Sequence, residues 1–355
     1  MYSKHACCDP IQCIIPPHMV DAIKQRGDAQ QKKMAEAIEK HAEEFRENRE
    51  ENAPPTSFLA APVLAANAQP MPNREVYDGE NKVAMPGVLA RAEGDPPHAD
   101  PVVNQAYDGA GVVYKLYQKV YRRDSLDGNG MPIISTVHHR NKYNNAFWNG
   151  SQMAYGDGDG ILFQSFTVLS IIGHELSHGV VQFSGGLDYH DESGALNESF
   201  ADVFGCLTEQ YMNNQSAAEA TWLVGENIFG PIVNGVALRS MKAPGTAYDD
   251  QILGKDPQPY HMDVYVHTSR DNGGVHINSG IPNHAFYLLA QYLGGNAWEK
   301  AGHIWYDAMQ SINHQYATFV DWGDKTVEMA RNRFGSGSIE EKMTRRAWKL
   351  VGVCL

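Results

Sequence analysis

The sequence predicts an α+β protein made of a β-rich first lobe and an α-helical second lobe, joined by a central helix and preceded by a short helical segment. Short β-branched and aromatic runs separated by Asp-Gly turns lie between residues 111 and 153, and longer helical patterns follow about residue 185. A charged stretch and a proline-rich linker precede both regions. With 355 residues, the chain is long enough for two or three packed units.

The first unit covers residues 1–52 and is highly charged toward its end. Between His18 and Asn52 there are nine acidic and seven basic residues. Four apolar residues recur there at helical spacing and predict one charged helix with a narrow apolar stripe: Met34, Ile38, Ala42 and Phe45. Residues 53–73 carry no charge and contain five prolines, which is typical of a linker open to proteolysis.

Residues 74–185 form the predicted β-rich lobe and residues 186–355 the predicted helical lobe. The runs 111–121, 131–138 and 145–153 are expected to be strands. Between the lobes, residues 165–184 place apolar side chains on one helical face and are followed by two glycines, which indicates a helix end. This helix is the predicted joint between the lobes.

Composition excludes several classes of function. The formal net charge is −13, and the sequence has no basic cluster. Binding of nucleic acid or of an anionic membrane is therefore not expected, because both require concentrated positive charge. The sequence has no apolar run long enough to span a bilayer and no classical secretion signal, so we expect release by a non-classical route or on lysis, with a cytoplasmic location as the alternative. Five cysteines, an odd number, argue against a disulfide framework.

The central helix carries the pattern His174-Glu175-Leu176-Ser177-His178. Side chains four residues apart lie about one turn apart on the same helix face, so both imidazoles can reach one metal ion while Glu175 lies beside it. A carboxylate in that position can act as a base on a metal-bound water. The pattern also arises by chance on helices whose histidines are ordinary packing or surface residues.

A catalytic zinc site needs a third protein ligand, and Glu198 is the candidate. It comes twenty residues after His178 and four before Asp202, so one carboxylate can bind metal while the other accepts the free ring N–H of a histidine. A helix-terminal role for Glu198 is the alternative. Further along, His276 follows Asp271 by five residues in a glycine-rich loop, and the aspartate can orient this imidazole toward a developing oxyanion.

Together with two further runs, these motifs closely resemble those of the thermolysin-like zinc metallopeptidases, the M4 family. The runs are Asn144-Asn145-Ala146-Phe147-Trp148-Asn149-Gly150 and Met153-Ala154-Tyr155-Gly156-Asp157-Gly158-Asp159-Gly160, and the motifs include Asn197-Glu198 and Gly273-Gly274-Val275-His276. They occur in the family's order and spacing from about Val76 to the C-terminus. The short N-terminal segment containing Ile14-Ile15-Pro16-Pro17 resembles the protealysin-like branch, which has a short propeptide.

The resemblance implies a zinc-dependent neutral endopeptidase with one catalytic Zn2+. It matches the zinc ligands to His174, His178 and Glu198, and it matches Glu175 to the base that assists the attack of zinc-bound water on a peptide carbonyl. The other matches are the oxyanion stabilisers Tyr189 and His276, the orienting Asp271, the partners of the ligand histidines Asn197 and Asp202, and the substrate-binding residues Asn145, Ala146, Arg239 and Leu238. The pocket that Leu238 helps to line prefers bulky apolar residues after the scissile bond.

Resemblance to the protealysin-like branch further implies that the protein is made as a latent precursor. Residues 1–52 would be an inhibitory propeptide, and residues 53–73 would contain the maturation site. We expect the extended Ile14-Ile15-Pro16-Pro17 to enter the cleft, where Pro16 and Pro17 have no N–H to donate and resist cleavage. A further hypothesis is that the thiolate of Cys13, a strong zinc ligand, fills the fourth position on the metal.

The sequence departs from the family at its calcium sites. Of five positions that match calcium-binding residues, Glu209 and Glu226 are acidic. The other three are Ser170, Thr221 and Leu223. Val236 also stands where a further site would have Asp. Because calcium takes about six to eight oxygen ligands, structural Ca2+ is predicted to be absent. The Asp157-Gly158-Asp159-Gly160 run is expected to be a tight turn.

Two alternatives stay open. In one, the helix binds zinc structurally and the protein is a binding module, although structural sites usually have four protein ligands rich in Cys. In the other, a metal-dependent esterase or amidase uses the same residues on a non-peptide substrate. The partners expected of a peptidase are protein and peptide substrates and its own propeptide. We expect a monomer that binds neither nucleic acid nor a membrane.

Overall fold

The structure is a computed structural model that describes residues 12–52 and 70–355, with side chains described for residues 13–41 and 70–355. The predicted linker therefore lies mostly outside the described residues. The strands are β1 Gln12–Cys13, β2 Arg74–Asp78, β3 Val88–Ala92, β4 Ile133–Val137, β5 Ala146–Trp148, β6 Met153–Tyr155, β7 Leu223–Val224, β8 Arg239–Ser240, β9 Asp249–Asp250 and β10 Gly254–Lys255. The helices are α1 Pro17–Arg26, α2 Ala29–Asn52, α3 Pro101–Tyr121, α4 Leu169–Gln182, α5 Asp191–Asn213, α6 Asp271–Asn278, α7 Gly280–Leu293, α8 Lys300–Ser311, α9 Phe319–Phe334 and α10 Ile339–Leu350.

The first lobe is built on a mixed six-stranded sheet with the order β1-β5-β6-β4-β2-β3. Strands β2, β4 and β6 are parallel neighbours, whereas β3 pairs antiparallel with β2 and β5 antiparallel with β6. Strand β1 comes from the N-terminal segment and pairs antiparallel with β5, with Cys13 opposite Phe147. The N-terminal segment therefore extends the sheet of the first lobe at the edge formed by β5.

Helix α4 is buried along almost its whole length and packs against α5. Two glycines allow the close approach, because glycine has no Cβ. A Cβ on Gly205 would lie 2.5 Å from the Ser170 carbonyl oxygen, and one on Gly173 would lie 2.8 Å from Thr208 Oγ1. The approach brings the histidines of α4 opposite the acidic residues of α5.

Local sequence signals explain several helix starts. Asp100 caps α3 by accepting a hydrogen bond from the Val102 N–H, and Pro101 occupies the first turn, where no N–H is needed. Thr318 and Asp321 form a capping box at the start of α9. Among the described helices, none combines the length and the apolar character needed to cross a bilayer.

The N-terminal segment contains two helices, so the prediction of a single helix between residues 18 and 52 is wrong. Helix α1 ends where the N–H of Gly27 donates to the Ile23 carbonyl, and Asp28 Oδ1 then accepts from the N–H groups of Gln30 and Gln31 at 2.9 Å each. A glycine stop followed by an aspartate cap is a signal that hydrophobic periodicity does not detect. In the predicted stripe, Ile38 is buried and Met34 half-buried, whereas the side chains of residues 42 and 45 lie outside the described part.

A second correction concerns residues 111–121, which belong to α3 and not to a strand. Valine, tyrosine and leucine in this run favour a strand by propensity, but its buried positions recur at helical spacing and the helix packs beneath the sheet. The other two runs contain strands β4, β5 and β6, as expected. The central helix and the two-lobed arrangement are also confirmed.

Candidate active site

Three fully buried side chains from α4 and α5 converge at the centre of the molecule. His174 Nε2 lies 3.0 Å from His178 Nε2, and the carboxylate of Glu198 lies 3.6 Å from the first and 3.5 Å from the second. All their ligand atoms fall within 4.8 Å of one another. Across the described ranges these three residues form the group that could hold a metal ion, and the thiol of Cys13 is not part of it.

The outer nitrogen of each histidine is bonded to a residue of α5. His174 Nδ1 lies 2.8 Å from Asp202 Oδ1, and His178 Nδ1 lies 2.9 Å from Asn197 Oδ1. Burial lowers the pKa of His174 to about 4 and that of His178 to about 3, so both rings are neutral. With the ring protons donated outward, both Nε2 lone pairs point to the same place.

A zinc ion fits this donor set. The Nε2 atoms of His174 and His178 are 3.0 Å apart with their lone pairs facing each other, and Glu198 Oε2 is buried without a hydrogen-bond partner among the described residues. Buried acceptors that face one another without a donor are unfavourable unless a cation lies between them. Two imidazoles and one carboxylate, with a fourth position left open, are the ligands typical of catalytic zinc.

Glu175 lies next to this group, on the side of strand β5. One of its oxygens accepts a hydrogen bond from the Trp148 N–H at 2.9 Å, and the other, Oε1, is buried with no partner in the described part of the chain. Burial and the neighbouring carboxylate of Glu198 raise the pKa of Glu175 above its usual range. The unpartnered oxygen is thus available to accept a proton.

His276 and Tyr189 both lie next to the carboxylate of Glu198. The four residues of the loop Asp271–Gly274 all have left-handed backbone, which turns the Asp271 carboxylate toward His276. Asp271 Oδ1 lies 2.6 Å from His276 Nδ1, and Asp271 Oδ2 accepts a hydrogen bond from the His276 backbone N–H at 3.0 Å. Burial alone would lower the pKa of His276, but the carboxylates of Asp271 and Glu198 raise it to about 9. The Tyr189 hydroxyl is bonded to Glu198 and lies 3.3 Å from His276 Nε2. His276 Nε2 therefore faces the cleft, with the Tyr189 hydroxyl beside it and donating to Glu198.

The N-terminal segment occupies the cleft between these groups. Ile14 donates its N–H to the Ala146 carbonyl at 3.2 Å and accepts from Arg239 Nη1 at 3.3 Å, and Ile15 donates to Asn145 Oδ1 at 3.1 Å. The Cys13 carbonyl lies 3.0 Å from His276 Nε2. The segment is thus held through its main chain.

The two prolines stand just beyond these contacts. Pro16 is buried and precedes α1, whereas Pro17 is exposed in the first turn of that helix. Their rigid φ angles suit the change from extended chain to helix. Among the other residues predicted for substrate, Leu238 is buried and its N–H donates to the Val224 carbonyl.

Arg239, predicted to contact substrate, also fixes Asp202 through hydrogen bonds of 2.8 to 3.1 Å. The site residues predicted from the sequence do not include three further residues of the site. Asn283 donates to Asp202 Oδ2 at 2.8 Å, Gln258 donates to the His276 carbonyl at 2.9 Å, and Trp148 supplies the backbone N–H to Glu175. No spacing in the sequence indicates these long-range contacts.

Side chains at the positions matched to calcium-binding residues make hydrogen bonds within the protein. Ser170 Oγ accepts from the Gly225 N–H at 3.1 Å, and Thr221 Oγ1 donates to Glu226 at 3.0 Å. Burial and the nearby Glu226 raise the pKa of Glu209. Asp159 accepts from three successive N–H groups, beginning with Ile161 at 2.8 Å, as expected of a tight turn.

Comparisons with known proteins agree with this geometry. Residues 75–182 match the family model of the thermolysin metallopeptidase catalytic domain, and residues 185–353 match that of the thermolysin metallopeptidase alpha-helical domain. The chain is 43% identical over 346 residues to the "Extracellular metalloprotease" of Pectobacterium carotovorum subsp. carotovorum, covering 97% of each chain. It is 50% identical over 285 residues to "Protease PrtS" of Photorhabdus sp. (strain Az29), covering 79% of this chain and 76% of that one.

Similarity to a solved structure extends through the N-terminal segment. The precursor of protealysin, a metalloproteinase from Serratia proteamaculans, superposes with a TM-score of 0.86 at 43% identity, over 97% of this chain and all of that one. Both family models, the relatives and this structure agree with the zinc-type site on α4 and α5. The chain belongs to the thermolysin family of zinc metallopeptidases and is a metalloendopeptidase.

Proposed function

We propose that this protein is a zinc-dependent endopeptidase that cuts before bulky apolar residues and is held latent by its own N-terminal segment. The observation that carries the proposal is the main chain of Cys13 to Ile15, which lies in the cleft beside the group formed by His174, His178 and Glu198. Residues 1–52 are the proposed propeptide, 53–73 the linker with the maturation site, and 74–185 and 186–355 the two catalytic lobes.

The proposed chemistry needs one metal ion. Zinc, when bound by His174, His178 and Glu198, supplies the Lewis acid that polarises the substrate carbonyl and acidifies the attacking water. Glu175 accepts the proton of that water through its unpartnered oxygen and passes it to the leaving nitrogen. The Trp148 N–H fixes the other oxygen of Glu175, so the base does not have to reorient.

The developing oxyanion is stabilised by two donors. His276 is protonated near neutral pH, because Asp271 and Glu198 raise its pKa to about 9, and its Nε2–H faces the cleft. The Tyr189 hydroxyl lies beside it. Donors held in a dry site stabilise developing charge more than they would in water. Asp271 fixes the orientation of His276 through two contacts.

Substrate binding is proposed to use the groups that now hold the N-terminal segment. Asn145 and the backbone of Ala146 bind the substrate main chain along β5, and Arg239 binds it from the other side of the cleft. The side chains of Ile14 and Ile15 are 0% and 2% exposed, so the region that receives them accepts apolar groups. Leu238 is the residue proposed to line that pocket.

The proposal also covers the metal content of the protein and the place where it acts. We propose that zinc is the only structural or catalytic metal, because serine and threonine hydroxyls replace calcium-binding carboxylates. The relative from Pectobacterium is named an extracellular metalloprotease, which supports action outside the cell. Protein and peptide substrates, together with the propeptide, are the proposed partners.

The test uses casein and a zinc chelator. We expect the matured protein to degrade casein, to lose this activity with the chelator, and to regain it with added zinc. Cleavage of ester substrates without casein degradation would favour the esterase alternative, and no hydrolysis of either would favour a binding module. N-terminal sequencing of the active form should give a new N-terminus within residues 53–73, and an intact N-terminus would contradict the latent-precursor proposal.

A further inference from the structure

The contacts of the N-terminal segment define its register against the proposed catalytic groups. The Cys13 carbonyl meets His276, the proposed oxyanion stabiliser, at 3.0 Å. The next residue, Ile14, is held by Ala146 and Arg239, and Ile15 is held by Asn145. A peptide substrate would meet the same groups in the same order, with the carbonyl before the scissile bond at the oxyanion stabiliser and the following residues at the main-chain binding groups.

The nitrogen of Ile14 has the position required of a leaving group. Strand β5 holds both groups: the Trp148 N–H donates to Glu175 at 2.9 Å, and the Ala146 carbonyl, two residues earlier on the strand, accepts from the Ile14 N–H at 3.2 Å. The Ile14 nitrogen and the proposed proton donor therefore lie along the same short stretch of β5. Both side chains after this nitrogen are buried and apolar, in keeping with the proposed preference.

We infer that the Cys13–Ile14 peptide bond lies in the scissile position and that the protein hydrolyses it in its own chain, removing residues 1–13. The inference rests on the proposed function. In this step the oxygen of a water molecule bonds to the carbonyl carbon of Cys13 and the C–N bond breaks. Glu175 carries one proton from that water to the Ile14 nitrogen. The second proton of the water leaves the new carboxyl group for the amine, so the products are a carboxylate at Cys13 and an ammonium group at Ile14.

This trimming does not release the inhibitor, because many of its contacts in the described part of the segment lie after the bond. His18 Nε2 lies 2.9 Å from the Tyr248 hydroxyl, Asp21 pairs with Arg270 at 2.9 Å, and His41 Nδ1 lies 2.9 Å from the Tyr143 hydroxyl. Apolar side chains are also buried there, among them Ile15, Met19, Val20 and Ile23. The residues from Ile14 onward stay in the cleft as a bound product, so trimming precedes activation and is separable from linker cleavage.

The main experiment follows the full-length chain with time after zinc is added, by intact mass and N-terminal sequencing. We expect an Ile14 N-terminus to appear at a rate independent of protein concentration, while the trimmed chain remains inactive on casein. Glu175→Gln should retain residues 1–13. Ile14→Pro, which removes the N–H bonded to Ala146, should block this cut. The control is Gln25→Ala, at an exposed position of α1, which should be trimmed like the wild type.

A second measurement tests the register without activity. In metal-stripped full-length protein, hydrogen exchange at the Ile14 and Ile15 amides should be at least about 100-fold slower than in a free peptide, and Asn145→Ala should release Ile15. Unprotected amides would overturn the register. If matured protein degrades casein but the Cys13–Ile14 bond stays intact in the precursor, the inference is overturned and the proposed function stands. Failure to degrade casein would instead overturn the proposed function.

Discussion

Three histidines in the site have different protonation states because their surroundings differ. His174 and His178 are buried next to one another, and the loss of solvation lowers their pKa values to about 4 and 3. His276 is equally buried, but two carboxylates outweigh the loss of solvation and raise its pKa to about 9. The same residue type can therefore bind a metal in one position and donate a charged hydrogen bond in another.

Glu175→Gln should abolish peptide cleavage and leave zinc binding intact. The amide cannot accept the proton of the attacking water, so kcat/KM should fall by about 100-fold or more, whereas the three ligands are unchanged. Casein degradation and zinc content of the same preparation check both parts. Glu328→Gln, at an exposed position of α9, is the matched control and should be fully active. Full activity in Glu175→Gln would refute the role of the base.

Cys13→Ser distinguishes the thiol from the main chain as the source of the proposed latency. The contact of Cys13 with His276 uses its carbonyl oxygen, which serine retains, and its thiol is outside the group of ligand atoms on α4 and α5. We expect latency and maturation rate within about twofold of the wild type, which would exclude the thiolate hypothesis. Earlier casein activity in this variant would support the thiolate as a zinc ligand.

At the scale of elements, the motif on α4 was predictable because its geometry is local. The positions of His174, Glu175 and His178 follow from helical spacing alone. Asn283 and Gln258 were not predictable, because they reach the site from loops and helices distant in sequence. The error at residues 111–121 has a similar cause, since packing under the sheet decided between two conformations that propensity did not separate.

His138 joins the start of α3 to the turn after β6. Its ring nitrogens lie 2.8 Å from Asp157 and 2.8 Å from Asp100, which caps α3. The hydrogen bond to Asp157, reinforced by Asp100, raises the pKa of His138 to about 9 against the lowering by partial burial. The folded state therefore binds this proton more tightly than the unfolded chain does, and the pair of carboxylates ties two elements together.

His138→Asn should destabilise the protein more at pH 6 than at pH 10. Because the folded pKa is raised, the stabilisation is complete below about pH 6.5 and is lost as pH rises through about 9. Allowing for partial exposure, we expect a loss of about 1–2 kcal/mol at pH 6. Asparagine suits the positive φ of this position, so backbone strain is not added. Urea unfolding at pH 6 and pH 10 measures the loss of stability. An equal loss at the two pH values would contradict the prediction.

The segment between α5 and β7 is predicted to be stable without calcium. Ser170 and Thr221 use their hydroxyls in internal hydrogen bonds, and the carboxyl groups of Glu209 and Glu226 alone cannot supply a calcium coordination sphere. Protein purified without chelator should contain zinc but no stoichiometric calcium, and added calcium should not shift its Tm. One mole of calcium per mole of protein would refute the prediction.

At the scale of the whole molecule, the N-terminal segment contacts both lobes. Its main chain bonds to Asn145 and Ala146 in the first lobe and to Arg239 in the second, and α1 contacts the second lobe at Tyr248. The proposed latency would therefore depend on the assembled molecule and not on one contact. The interface also contains three histidines with lowered pKa values: the buried His41 and His139 and the half-buried His18.

Acid should loosen this interface. Burial, together with Arg140, lowers the pKa of His139 to about 4, and the ring lies 5.6 Å from that of His41, whose pKa burial and the same arginine lower to about 3. Because the folded form resists protonation, the stabilisation is complete above about pH 6.5 and declines as pH falls toward 4. Because His139 is fully buried, its protonation should reduce the stability of the interface by about 1–3 kcal/mol.

His139→Phe removes the titrating group and keeps an aromatic ring against Tyr143 and Phe147. Hydrogen exchange in α1 should therefore be slower in this variant than in its parent at pH 4.5, by about tenfold or more, and similar at pH 7. Both proteins should carry Glu175→Gln, so that neither cuts itself during the measurement. His98→Phe, at an exposed position, should exchange like the parent at both pH values. Equal exchange in His139→Phe and its parent at pH 4.5 would show that protonation of this residue does not loosen the N-terminal segment.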